Sequence, residues 1–137
     1  IGDEICFASM LPSAIEHASI ILDIDPRLEG LFKRSFPKAH VHGTRMATAE
    51  NAKPWPKEDR IFDCSLAIAQ IGEFFRKKDE DFPAAPYLTA DPDRSLMWRS
   101  LFKSKGKPVI GLAWTGGTWQ TGAKFRNLKL EDMLPIM

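Results

Sequence analysis

Two places in this chain carry side chains and spacings that chemistry can use. The first is GLAWTGGTWQTGAKFRNL, residues 111–128, where an apolar run ends in a glycine pair followed by hydroxyls, amides and the cations Lys124 and Arg126, with no acidic residue among them. Gly116 and Gly117 have no side chains to keep backbone N–H groups from a phosphate. Thr115, Thr118 and Thr121 add hydroxyl donors, and Lys124 and Arg126 can offset the charge of a diphosphate. The loop matches neither G-x-x-x-x-G-K-[ST] nor G-x-G-x-x-G, so an ATPase or dinucleotide fingerprint is not supported. A solvated loop whose cations only aid solubility would show the same pattern. The second place is Gly2-Asp3-Glu4. A carboxylate there can cap a helix through the helix dipole, or Asp3 can serve as a general base if a Gly-Asp turn holds it toward a substrate hydroxyl.

Other polar and aromatic residues point more weakly. His40 and His42 alternate and so share a strand face, but with no third ligand close in sequence a structural role is expected and no metal is assigned. Trp114 and Trp119 have the ring area to stack on a base or sugar, though a tryptophan packed at a strand end answers the same pattern. Cys6 and Cys64 lack metal-ligand or C-x-x-C spacing, which fits thiols in a reducing compartment and a cytoplasmic location.

The elements that must position these residues alternate in period. Ile5, Ala8, Leu11, Ile15 and Ala18 fall at helical spacing, with Pro12 as a kink. SIILDI (19–24) reads as a short strand, and Asp25-Pro26 starts a helix over RLEGLFKRSF that Pro37 ends. AHVHG (39–43) is a second strand, and 44–61 is a proline-broken loop. FDCSLAIAQIGEFFRKK begins strand-like and turns helical. Asp91-Pro92 repeats the cap chemistry ahead of a helix striped by Leu96, Met97, Leu101 and Phe102. PVIGLAW (108–114) reads as a strand covered on both faces. Short strands between helices predict an α/β, doubly wound parallel sheet with ligands at the carboxyl ends of its strands.

Bulk properties narrow the function. With 137 residues and 44% hydrophobic side chains the chain can build a core, and 19 basic against 18 acidic residues leave a net charge of +1. No whole-molecule field draws it to nucleic acid or anionic lipid, and no apolar run approaches the ~20 residues of a membrane span. An open sheet edge leaves pairing with a second copy, a homodimer, available. The chain starts inside a loop entering a helix and stops within a helical pattern, so it reads as a piece of a longer protein.

The stretches GDEICFASMLPSAIEHASIILDIDPRLEGLFKRSFPKAHVHGT and GLAWTGGTWQTGAKFRNLKLEDMLPIM together resemble the glycosyltransferase-like region of bacterial tetratricopeptide-repeat proteins, a relative of the heptosyltransferases. The resemblance implies two facing Rossmann-like lobes. Residues 1–106 would form the acceptor-side lobe without its first strand, and 107–137 the start of the donor-side lobe. It also implies Asp3 as catalytic base, and Thr115, Gly116, Gly117, Thr118, Lys124 and Arg126 as the site for the phosphates of a nucleoside-diphosphate sugar. The acceptor would be a hydroxyl on a sugar or a protein, the reaction inverting, and neither metal nor cofactor required. The isolated chain would be inactive, with most of the donor lobe beyond Met137. Two other classes fit the same residues: a non-catalytic protein-binding or scaffold domain, and a flavodoxin-like protein, which would carry a flavin or mononucleotide.

Overall fold

The computed structural model describes residues 1–45, 54–103 and 106–136. The chain divides into two compact units, Ile1–Leu96 and Met97–Met137.

The first unit holds the core. Helix α1 (Gly2–Phe7) runs through a 3-10 turn at Ala8–Met10 into α2 (Leu11–Ile15), with Pro12 in the first turn of α2 where its missing N–H costs no helical hydrogen bond. Glu4, Ala8, Leu11 and Ala14 form the buried stripe. Ile5 and Ile15 flank it, partly buried, so the inward face is rotated by about one residue from the expected one.

Strand β1 (Ile21–Asp23) leads through a 3-10 turn at Pro26–Leu28 into α3 (Glu29–Ser35), and β2 (His40–His42) returns parallel to β1 with Leu22 opposite Val41. The start signal is met as expected. The Asp25 side chain accepts from the Arg27 N–H at 3.0 Å, and Pro26 follows it. Leu22, Ile24, Leu28, Phe32, Phe36 and Val41 fill the space beneath, and Phe32 and Phe36 meet edge to face at 5.4 Å. Helix α4 (Gly72–Phe75) is tied to this layer by Arg76, which donates to Ser13 Oγ at 3.3 Å and to the Ser9 carbonyl at 3.2 Å. Tyr87 Oη donates to the Ile5 carbonyl at 2.8 Å, fixing the segment beyond.

Helix α5 (Pro92–Lys103) starts on the second Asp-Pro cap, with Asp91 Oδ1 accepting from the Arg94 N–H at 3.0 Å. None of its residues is buried. Beyond α5, the described backbone of the second unit forms irregular turns and 3-10 helix at Ala123–Phe125 and Leu130–Ile136.

The doubly wound Rossmann-like sheet expected from the sequence is not present. Among the described residues the chain is mostly helical, with one two-stranded parallel sheet. Parallel strands persist where both faces are covered, a condition that Leu22 and Val41 meet with 8% and 4% exposure. The runs expected to extend the sheet do not meet it. Residues 61–67 are exposed throughout, and in PVIGLAW Val109 and Ile110 are 50% and 79% exposed, so neither run enters a sheet. The Rossmann-type lobes drawn from the resemblance are therefore also absent. Of the loop expected over 44–61, residues 46–53 lie outside those described. Among the described residues, no helix is long and apolar enough to cross a membrane.

Candidate functional site

One polar cluster in the first unit gathers around β2. Because strand side chains alternate, the buried Val41 turns His40 and His42 to the opposite face. A 3-10 turn at Glu58–Arg60 brings Asp59 beneath them. Asp59 Oδ1 lies 2.5 Å from His40 Nδ1 and Oδ2 lies 2.7 Å from His42 Nε2. An ionised carboxylate only accepts, so both of these ring nitrogens carry the protons. The hydrogen bond from His40, joined by that from His42, holds the Asp59 carboxyl below the usual carboxylate range, against burial that pushes it up. Trp55 stacks on the His42 ring at 4.8 Å and donates from Nε1 to Thr44 Oγ1 at 2.7 Å, while Thr44 Oγ1 donates to Asp23 at 2.7 Å. Beside the cluster runs a cleft of about 790 Å³, bounded by α3, residues 39–44 and Pro54–Asp59.

An imidazole oriented by a carboxylate can move protons. Among the described residues, no side chain other than Asp59 is hydrogen-bonded to His40. Nor does any group of three or more His, Cys, Asp or Glu side chains there stand in positions to hold a metal ion. Both carboxylate oxygens of Asp59 are already engaged by the imidazoles.

A second cluster joins α1 to the β1–α3 turn. Glu4 Oε1 accepts from the Asp25 N–H at 2.9 Å and from Arg45 Nε at 2.8 Å. Asp25 takes a bidentate pair from Arg27, Nε to Oδ1 at 3.0 Å and Nη2 to Oδ2 at 2.9 Å. Burial pushes the Glu4 carboxyl up, but the Asp25 N–H and Arg45, together with the chain's amino group, outweigh it and leave it below its ordinary value. The Arg27 side chain, with its backbone N–H, holds Asp25 well below the carboxylate range. Buried charges persist only when paired in this way.

Asp3, the expected base, is exposed on α1, whereas its neighbour Glu4 is buried in this network. The signal for Glu4 was its place in line with Ala8, Leu11 and Ala14; nothing near Asp59 in sequence marked it as the partner of the two histidines. The residues of the expected phosphate loop are gathered in the second unit, where the Leu128 N–H donates to the Trp114 carbonyl at 2.9 Å and closes the segment. The Gly116 N–H donates to Asn127 Oδ1 at 2.7 Å, the Thr118 N–H to Thr121 Oγ1 at 2.6 Å, and Lys124 sits 4.7 Å above the Phe125 ring. Gly117 takes a positive φ of 84°, with Arg126 Cδ 3.4 Å from where a Cβ would stand. Thr115 is exposed beside them.

A mostly helical unit with a two-stranded parallel sheet and a histidine–aspartate cluster is what the geometry defines. No family model matches the chain, and no solved structure does. Among curated proteins the chain is similar to Protein FlbA of Caulobacter vibrioides, with 33% identity over 124 residues, 83% of this chain and 21% of FlbA. The chain thus spans about a fifth of the length of that relative. These findings overturn the resemblance to the glycosyltransferase-like region and the heptosyltransferases. The relative's name specifies no sugar transfer, and the sheet on which such an enzyme builds its two lobes is missing.

Proposed function

We propose that the chain is a non-catalytic protein-binding or scaffold module that works in the cytoplasm. One observation carries this: from 97 to 135 no residue of described burial is buried, while Ile110, Trp119 and Phe125 are 79%, 90% and 82% exposed. A segment in which no side chain is fully buried has little of the main driving force for folding, and exposed aromatic and aliphatic side chains in such a segment suit a protein partner. The buried carboxylates Glu4 and Asp25 are in keeping with it: each is held as an anion by its partners, whereas a general base working near neutrality has its pKa tuned upward. Cys6 and Cys64 are both exposed free thiols, in keeping with a reducing compartment.

Hydrogen exchange tests the binding assignment. Amides of 97–135 should exchange far faster than those of β1, β2 and α3 in the chain by itself; equal protection would remove the need for a partner. Release of sugar or nucleotide from any nucleoside-diphosphate sugar would sink the non-catalytic part.

A second assignment, a phosphate-bearing ligand at Thr115–Arg126, is favoured by the closed loop that sets Arg126 against Gly117. Calorimetry with inorganic pyrophosphate tests it: heat of binding that Lys124→Ala abolishes would support it, and no heat would dismiss it.

A further inference from the structure

We infer that the partner of the Met97–Met137 unit is an acidic protein surface whose carboxylates rim apolar pockets. The inference rests on the binding role assigned to 97–135 and names the chemistry that role calls for. The near balance of charge over the whole chain conceals an uneven division. Residues 97–137 carry seven basic and two acidic side chains, a net +5, which leaves Ile1–Leu96 at −4. Between Asp93 and Glu131 the sequence has no acidic residue. Arg99, Lys103, Lys107, Lys124, Arg126 and Lys129 are all exposed, and among the described residues none of them forms an ion pair. Like charges gathered in one small unit repel one another, and a partner that supplies carboxylates relieves that repulsion while being steered by the same field.

Charge alone would suit any polyanion; the apolar side chains choose among them. Ile110, Leu128 and Leu134 are exposed and have no ring on which a nucleic-acid base could stack. An anionic lipid surface takes a helix whose apolar and cationic side chains lie on opposite faces. On α5 they interleave. Arg94 shares a face with Met97, Trp98 and Leu101, which follow it by three, four and seven residues, while Leu96 shares another with Arg99 and Lys103. A protein surface, where carboxylates and apolar pockets alternate, meets such a mixture. Trp119, exposed almost entirely, and Phe125, with Lys124 4.7 Å above its ring, are the aromatic anchors for those pockets.

Calorimetric titration of the 137-residue chain with poly-Glu and with the copolymer poly(Glu,Tyr), which adds aromatic rings to the carboxylates, tests the inference. The copolymer should bind more tightly than poly-Glu, and its affinity should fall as salt rises from about 0.05 to 0.5 M. Lys107→Glu and Lys129→Glu change exposed side chains outside the loop 115–126, and each should weaken both polymers by roughly 5-fold. Trp119→Ala should weaken the copolymer more than poly-Glu, since only the copolymer offers rings for Trp119 to meet. Phosphatidylglycerol vesicles and single-stranded oligo(dT) are the competing polyanions; either one bound as tightly as the copolymer would overturn the assignment. So would a chain that dimerises in sedimentation equilibrium, which would give the surface to the net-negative first unit of a second copy. No polymer binding while 97–135 still exchanges fast would overturn the acidic partner and leave the protein-binding role standing. Equal protection of 97–135 would remove that role and this inference with it.

Discussion

Asp59 Oδ2 lies 2.7 Å from His42 Nε2, although 17 residues separate the two in the chain. With His40 on the other carboxylate oxygen and Trp55 stacked on His42, this contact pins Pro54–Arg60 against the outer face of β2. It closes one side of the cleft.

The pH dependence of stability follows from that contact. The Asp59 pKa is lowered on folding, so its contribution is complete above the unfolded carboxylate value of ~3.9 and is lost as pH falls through the lower folded value. Glu4, Asp25 and Asp91 shift in the same direction. Stability measured by urea unfolding should hold near neutrality and fall steeply below about pH 4. Asp59→Asn should be less stable at neutral pH and flatter in acid; curves that run parallel to the wild type at every pH would contradict the assignment.

Adjacent acidic residues on α1 should behave differently. Glu4→Ala leaves the Asp25 N–H and the Arg45 guanidinium without their acceptor, a loss of about 1–3 kcal/mol. Asp3→Ala removes an exposed side chain and should stay within ~0.5 kcal/mol of wild type. Equilibrium denaturation of both variants under one set of conditions makes the comparison. Equal effects would mean that the Glu4 network is not the bond between α1 and the β1–α3 turn.

Phe32 is fully buried and packs edge to face on Phe36. Phe32→Ala should destabilise the first unit by about 3–5 kcal/mol, lowering the near-ultraviolet melting temperature. A smaller effect would show that α3 is not the main lid of the core.

Gly43 is required for space. A Cβ there would stand 2.8 Å from Pro26 Cα and 2.7 Å from Glu29 Oε2, so Gly43→Ala must displace the start of α3 at about 1–3 kcal/mol. Gly2 has nothing within 4 Å of its missing Cβ, so Gly2→Ala should be neutral or slightly stabilising. Thermal melts that rank the two alike would remove the close approach at Gly43.

Much of the local structure was legible. Asp25-Pro26 and Asp91-Pro92 both start helical segments as read, because a cap needs only a side-chain oxygen and an N–H two or three residues on. SIILDI and AHVHG each yield a strand, although only three residues of each pair. PVIGLAW reads as a stronger strand than either, yet it forms none, since β-propensity records fitness for a covered surface and that cover is absent. The candidate site was half visible. The alternation of His40 and His42 marked a shared face, but Asp59 lay in a stretch that read only as loop.

The sequence by itself determined composition, the near balance of charge, the two Asp-Pro helix starts and the parity that buries Val41 while turning two histidines outward. Each of these depends on neighbours within a turn or a strand pair. Tertiary structure decided which of Asp3 and Glu4 enters the core, which carboxylate meets His40 and His42, and how far the sheet extends. Those outcomes depend on contacts between groups 17 to 41 residues apart, whose formation rests on desolvation and packing that no short window of sequence contains.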